Sequence, residues 1–294
     1  MSGTGKVDFI TGEEVLDRLD DLLDRAAELK AGRPGLGAGA LAGRSAALIF
    51  ERPSTRTRVS FEVGLGELGA TPIVLRSDEL QLARGESIAD FGRVMSRYVH
   101  AIAIRSGSHQ RVLDLAAAAE VPVVNALTPE HHPCQALADL LTLRERFGSL
   151  AGLRVAFVGD GNNVARSLAV LGGAAGLEVV VSSPPGFELE PGAGAELVAD
   201  PREAVAGADA VYTDVWISMG DEDAAAKRDA LTPYRVDADL LAAASDRAIA
   251  LHCLPAHPGE EITADVLYGP RSAVFDQAEN RLHAQKALLE LLID

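Results

Sequence analysis

Only two cysteines, Cys134 and Cys253, occur in the 294 residues, and they stand far apart without CxxC spacing. Neither a disulfide framework nor a zinc cluster is expected, no metal is called for, and a reducing compartment fits. Lysine is also scarce, with Lys6, Lys30, Lys227 and Lys286 set against 23 arginines. A formal net charge of -16 leaves no clustered basic surface of the kind that nucleic acid or an anionic membrane requires. No apolar run reaches the ~18 residues of a spanning helix. The start MSGTGKVDFITGEEVLDRL turns acidic and amphipathic, where a signal peptide would need a basic start and an apolar stretch. The cytoplasm is the expected location. An acidic, lysine-poor chain suits either a salt-rich cytoplasm or a compositionally biased genome, and the sequence favours neither.

What is abundant is apolar material: at 48% hydrophobic residues, the chain is long enough for two domains, each with its own core. Residues 12–31 carry apolar side chains at three- and four-residue intervals, which predicts an amphipathic helix, followed by a Gly/Ala-rich loop over 32–43. Strands are predicted at 46–50, 72–75, 101–104 and 121–125, with helices from Ser54 to Gly69 and over 86–98, 108–119 and 133–147. The pattern breaks near 147–152 and restarts with LRVAFVGDGNN. Further strands are expected at 153–158, 178–182, 209–213, 248–251 and 272–275, and a last helix over 277–292. Alternating strands and helices imply an α/β fold of two domains, each a parallel sheet flanked by helices. The expected boundaries are 1–148, 149–276 and a C-terminal helix, 277–294, packing back on the first domain.

Positive charge gathers in one place. From Phe50 to Gln110 the eight arginines exceed the seven acids, although the whole chain is strongly acidic. Within it, IFERPSTRTRVSFE delivers Ser54, Thr55, Arg56 and Thr57 from an apolar strand to a helix start. Unpaired N–H groups, hydroxyls and a guanidinium at a helix N-terminus make a phosphate site. A plain Ser/Thr cap with solvated arginines would use the same residues, but three arginines in seven positions argue against it. In HHPCQALADLL, His132 and Gln135 share one helical turn and could hydrogen-bond a carbonyl oxygen as it gains charge, unless His132 is a structural histidine. Arg105, ending the strand AIAIR, is a natural third donor because functional groups gather at the carboxyl ends of such strands.

FVGDGNNVARSL has the outline of a dinucleotide fingerprint, but Val164 stands at the third glycine position and EVVVSS ends without a ribose-binding acid. NAD binding, and with it an oxidoreductase, is not expected. Asn162 and Asn163 remain as hydrogen-bonding groups, or as turn formers only. DVWISMG and HCLPAH each follow an apolar strand. Asp214 could hold a substrate ammonium or cap a helix, and Cys253 could be a buried inert thiol or part of a polar cluster with His252.

STRTR, HPCQALADLL, GDGNN, DVWISMG, HCLP and FDQAENRLHAQKAL occur in the order found in ornithine carbamoyltransferases, which this chain resembles from about Val7 onward. The resemblance implies two α/β domains with the active site in the cleft between them, a homotrimer or a multiple of trimers, and no cofactor. It also implies transfer of the carbamoyl group of carbamoyl phosphate to L-ornithine, giving L-citrulline and phosphate in arginine biosynthesis or degradation. Carried over by motif, carbamoyl phosphate would be bound by Ser54, Thr55, Arg56, Thr57, Gln81, Arg105, His132, Gln135, Cys253, Leu254 and Arg281. Thr57, Arg105, His132 and Cys253 would be catalytic, and Asn163, Asp214, Ser218 and Met219 would bind ornithine. Two departures stand out: Ala83 sits where glycine is common, and segment 183–200 is short. The alternatives are transcarbamylases using N-acylornithine, putrescine or aspartate, of which the aspartate enzymes lack HCLP and SMG. A non-catalytic binding protein would leave Cys253 and Arg281 without a purpose.

Overall fold

The computed structural model describes residues 5–76, 85–217 and 223–293. Two compact units divide the chain: Met1–Leu141 with Asn280–Asp294, and Thr142–Glu279.

In the first unit, α1 (Leu19–Ala31) follows a 3-10 stretch, Glu13–Arg18, whose preceding Gly12 has φ 103. The predicted helix over 12–31 thus begins as a tighter coil. Four parallel strands follow, β1 (Ser45–Phe50), β2 (Thr71–Arg76), β3 (Ala101–Arg105) and β4 (Val123–Leu127), in the order β2-β1-β3-β4. The helices between them are α2 (Thr55–Glu67), α3 (Ile88–Met95) and α4 (His109–Ala118), and α5 (Pro133–Phe147) follows β4, the first unit's share of it ending at Leu141. Strands β1 and β3 read as nearly continuous apolar runs, and β4 as one interrupted by the buried Asn125, as expected where helices cover both faces of a sheet. One face is a cluster of Ala47, Ile49, Ile102, Ile104 and Val123 with Phe91, Val112 and Leu115 of α3 and α4. The intervening Ala46, Leu48 and Ala103 are equally buried.

The second unit repeats this plan with β5 (Arg154–Val158), α6 (Asn163–Ala174), β6 (Glu178–Ser182), β7 (Glu196–Leu197), α7 (Pro201–Val205), β8 (Ala210–Thr213), α8 (Ala224–Leu231), α9 (Ala238–Ala242), β9 (Ile249–His252) and α10 (Ala264–Leu267). Its parallel sheet runs β7-β6-β5-β8-β9. The strand expected at 272–275 is not there: Ser272 makes a single bridge to Ala250, and helix α11 (Val274–Ile293) begins two residues later. Val274 instead joins the core of Ala156, Val158, Val211 and Ala250. From Asn280 onward α11 belongs to the first unit. Among the described residues no helix is long and apolar enough to cross a membrane.

Candidate active site

Strand ends place the polar side chains of the first unit. The turn leaving β1 is fixed by Glu51, whose carboxylate accepts from Ser106 Oγ at 2.6 Å, Gly107 N at 3.2 Å and Arg111 Nη1 at 2.5 Å. Partial burial alone would raise its pKa, but the hydrogen bonds from Ser106 and Arg111 win and hold it below the usual carboxylate range. The turn before α2 is thereby tied to the turn after β3, which ends in Arg105. Ser54 takes the N-cap position of α2 in extended geometry, yet its Oγ does not cap the helix and accepts from Arg105 Nη1 at 3.1 Å. The first-turn N–H groups of α2 are therefore not consumed by that side chain. Thr55 and Arg56 are exposed on this turn, while Thr57 is buried and accepts at Oγ1 from Arg281 Nη2 of α11 at 2.9 Å. Two guanidinium groups and three hydroxyls thus meet at one helix N-terminus, an arrangement suited to a phosphate dianion.

His132 precedes α5 and is buried. Its pKa lies well below the ordinary histidine value, first because burial disfavours the cation and then because Arg281 and Arg105 repel it. A neutral imidazole can donate one N–H to a carbonyl oxygen without bringing a third cation beside the arginines. Gln135, one turn on, donates from Nε2 to Asp139 Oδ1 at 2.8 Å, which fixes its amide. Cys134 between them is fully buried with its thiol pushed up to about 12, chiefly by desolvation, and is chemically inert. Gln81 lies outside the described residues.

The second unit gathers its polar groups at the ends of β5, β8 and β9. Asp214, directly after β8, is 7% exposed. Its Oδ1 accepts from the Cys253 thiol at 2.8 Å and its Oδ2 from Asn162 Nδ2 at 2.9 Å. Cys253 is therefore no isolated thiol. Leu254 follows it with φ 59, a left-handed conformation costly for a side chain with a Cβ. Its N–H donates to His252 Nδ1 at 2.9 Å, so His252 carries its hydrogen on Nε2 and donates it to Glu261 Oε1 at 3.0 Å. Glu261, wholly buried, also accepts the N–H of His257. This buried His–Glu pair holds the HCLP turn in its strained shape. Donor atoms of Asp214, His252 and Cys253 lie within 4.8 Å of one another. Both ring nitrogens of His252 are already engaged, however, so a cation would meet only a thiol and a carboxylate there. Asn163 is the first residue of α6, and Ser218 and Met219 lie outside the described residues.

The sequence reading named Ser54, Thr57, Arg105, His132 and Arg281, which the fold brings together in the first unit, and Asp214, Cys253 and Leu254, which it brings together in the second. Sequence alone offers Asn162 only as a hydrogen-bonding group or a turn former, and points to no role for Glu51, Glu261 or the Asp160–Lys227 ion pair (2.7 Å). The signal for the last was the rarity of lysine: a chain that otherwise uses arginine keeps Lys227.

Residues 8–145 match the carbamoyl-phosphate-binding domain, and residues 151–292 the Asp/Orn-binding domain, of aspartate/ornithine carbamoyltransferases. The chain belongs to this family. An ornithine carbamoyltransferase of Acidothermus cellulolyticus is 58% identical over 93% of this chain and 92% of its own length. One from Methanothermobacter thermautotrophicus is 50% identical over 95% and 96%. Among solved structures, ornithine carbamoyltransferase from Pyrococcus furiosus superposes with a TM-score of 0.92 at 44% identity, covering 100% of this chain and 99% of its own. Like its family, the chain is a carbamoyltransferase with two α/β domains built on parallel sheets.

Proposed function

We propose that the acceptor is L-ornithine and that the reaction is carbamoyl phosphate plus L-ornithine to L-citrulline plus phosphate. The observation that carries this choice is the Asp214 carboxylate, nearly buried and held by Asn162 and Cys253. A fixed anion in a desolvated setting suits the α-ammonium of a free amino acid, which an acylated ornithine lacks, and its charge opposes the second carboxylate of aspartate. The relatives' names point the same way.

In this reading the domain of residues 1–148 holds carbamoyl phosphate and that of 149–276 holds ornithine, with 277–294 returning Arg281 to the first. Ser54, Thr55, Arg56, Arg105 and the first turn of α2 grip the phosphate. Gln81, Gln135, Cys253, Leu254 and Arg281 complete the carbamoyl phosphate site. The neutral δ-amine attacks the carbamoyl carbon, and Thr57, Arg105 and neutral His132 stabilise the oxyanion; the C–O bond to phosphate then breaks, and the departing phosphate takes the proton that the attacking nitrogen loses. Asn163, Asp214, Ser218 and Met219 bind the amino acid. No metal or cofactor takes part, and the enzyme works in the cytoplasm as a homotrimer or a multiple of trimers.

Citrulline formation from carbamoyl phosphate and ornithine, beside parallel assays with aspartate, N-acetylornithine and putrescine, tests the acceptor. Asp214→Asn should raise the KM for ornithine about tenfold or more, the ~1.4 kcal/mol or greater of a charged partner lost in a closed site. Carbamoyl phosphate affinity, measured by calorimetry, should stay within error. Faster turnover with another acceptor, or unchanged ornithine kinetics in Asp214→Asn, would overturn this reading.

A further inference from the structure

We propose that Asn162 is a positioning residue of the acceptor site: its side-chain amide sets the orientation of the Asp214 carboxylate. The inference rests on the reading of Asp214 as the ammonium-binding group.

The two ends of the Asn162 amide do different work. Its Oδ1 accepts the backbone N–H groups of Val164 at 2.9 Å and Ala165 at 3.2 Å, capping α6. Two backbone donors on that oxygen decide which way round the amide lies, so its NH2 group must face Asp214, where Nδ2 meets Oδ2 at 2.9 Å. Serine and aspartate cap helices about as well as asparagine does, and threonine nearly so. Capping therefore leaves the choice of asparagine unexplained, whereas capping through one atom while donating to Asp214 from another uses both ends of an amide; a hydroxyl would have to do both from a single oxygen one bond nearer the backbone.

The base from which Asn162 acts is itself fixed. Gly161 N donates to Phe187 O at 2.8 Å, and a Cβ at Gly161 would fall 2.2 Å from the backbone nitrogen of Leu189. Asp160, whose carbonyl accepts the Asn162 N–H at 2.7 Å, is paired through its side chain with Lys227 of α8, both side chains being largely buried. Asp214 is thus gripped on one oxygen by an amide anchored to a helix end and on the other by the Cys253 thiol. A carboxylate held in one rotamer before the ligand arrives loses less conformational freedom on binding, which strengthens binding of the ammonium.

The test uses two cap-competent replacements in the full-length enzyme, Asn162→Ser, which lacks the amide donor, and Asn162→Asp, which also brings a second carboxylate against Asp214. Asp214→Asn is the reference. Both Asn162 variants should melt within a few degrees of wild type and bind carbamoyl phosphate normally. The ornithine KM should rise about tenfold in Asn162→Ser and further in Asn162→Asp, with kcat changed much less. If Asn162→Ser keeps the wild-type ornithine KM while Asp214→Asn does not, Asp214 needs no such help and the proposal is wrong. Parallel loss of thermal stability and of both ligands in Asn162→Ser would make Asn162 a cap alone, which also overturns it. An unchanged ornithine KM in Asp214→Asn would instead remove the reading of Asp214 on which this rests.

Discussion

At His132, burial and two arginines act on the imidazole in the same direction, and the consequence can be measured. The folded state holds the ring neutral well below the ordinary histidine pKa, whereas the unfolded chain lets it titrate near 6.5. Below that pH the unfolded state binds the extra proton, so this site's contribution to stability is full above 6.5 and declines as the pH falls. The slope approaches about 1.4 kcal/mol per pH unit for one proton. Replacing the ring by His132→Gln should flatten the decline in unfolding free energy between pH 6.5 and 5 relative to wild type. Denaturant melts of the two proteins across that range will show it, and parallel curves would mean that His132 takes up a proton in the folded state. His132 was legible in the sequence because its motif places it at the start of a helix, one turn from Gln135. Asn162 was only half legible: at a strand-to-helix turn it reads as a hydrogen-bonding group or a turn former, and nothing in the order of residues shows that its amide nitrogen meets Asp214, just past a strand further along.

Helix α11 illustrates both what periodicity gives and what it withholds. SAVF at 272–275 is short and apolar, and such a run does not distinguish a strand from the buried start of a helix. Here the single bridge at Ser272 leaves the chain free to coil, and Val274 enters the core as the first residue of the helix. Farther along, α11 is tied into the first unit by polar side chains that no apolar pattern announces. Arg281 meets Thr57, Arg25 grips Glu290 at 2.6 and 3.1 Å, and Lys30 reaches Asn280 at 2.8 Å. Lys286, wholly buried, meets Glu67 of α2 at 2.8 Å. Partial burial alone would raise the Glu67 pKa, but hydrogen bonds from Lys286 and Arg33 hold it down. Removing only the anion should leave an uncompensated buried cation, so Glu67→Ala is expected to cost about 3–5 kcal/mol. Lys286→Met keeps the packing of the stem and should cost far less, and the double variant should recover much of the Glu67→Ala loss. Urea midpoints of the four proteins complete the cycle, and additive losses would show that the pair is not coupled.

Over the whole molecule the dominant physical fact is charge: a 30.8 kDa chain with a net -16 and four lysines. The fold class was legible at this scale because parallel sheets covered on both faces produce continuous apolar strands, whereas a -16 charge constrains solubility and partners but not topology. Two electrostatic effects then compete. Exposed pairs such as Arg93 with Asp90 and Arg58 with Glu62 favour the folded state, but each is worth only about 0–1 kcal/mol and is weakened by salt. Repulsion among the surplus acids opposes the compact state and is also weakened by salt, since the screening length falls from roughly 10 Å at 0.1 M to about 3 Å at 1 M. With so large a surplus, relief of repulsion should outweigh loss of the pairs, and the melting temperature should rise from low to molar KCl. Protein concentration must be held fixed, because any association between copies would shift the melting temperature by mass action. Potassium sulfate serves as the contrast, since sulfate also strengthens apolar burial whatever the net charge. A melting temperature that climbs in sulfate but stays level or drops in chloride would show that the acidic surface carries no repulsive cost, and would favour a biased genome as the source of the missing lysines.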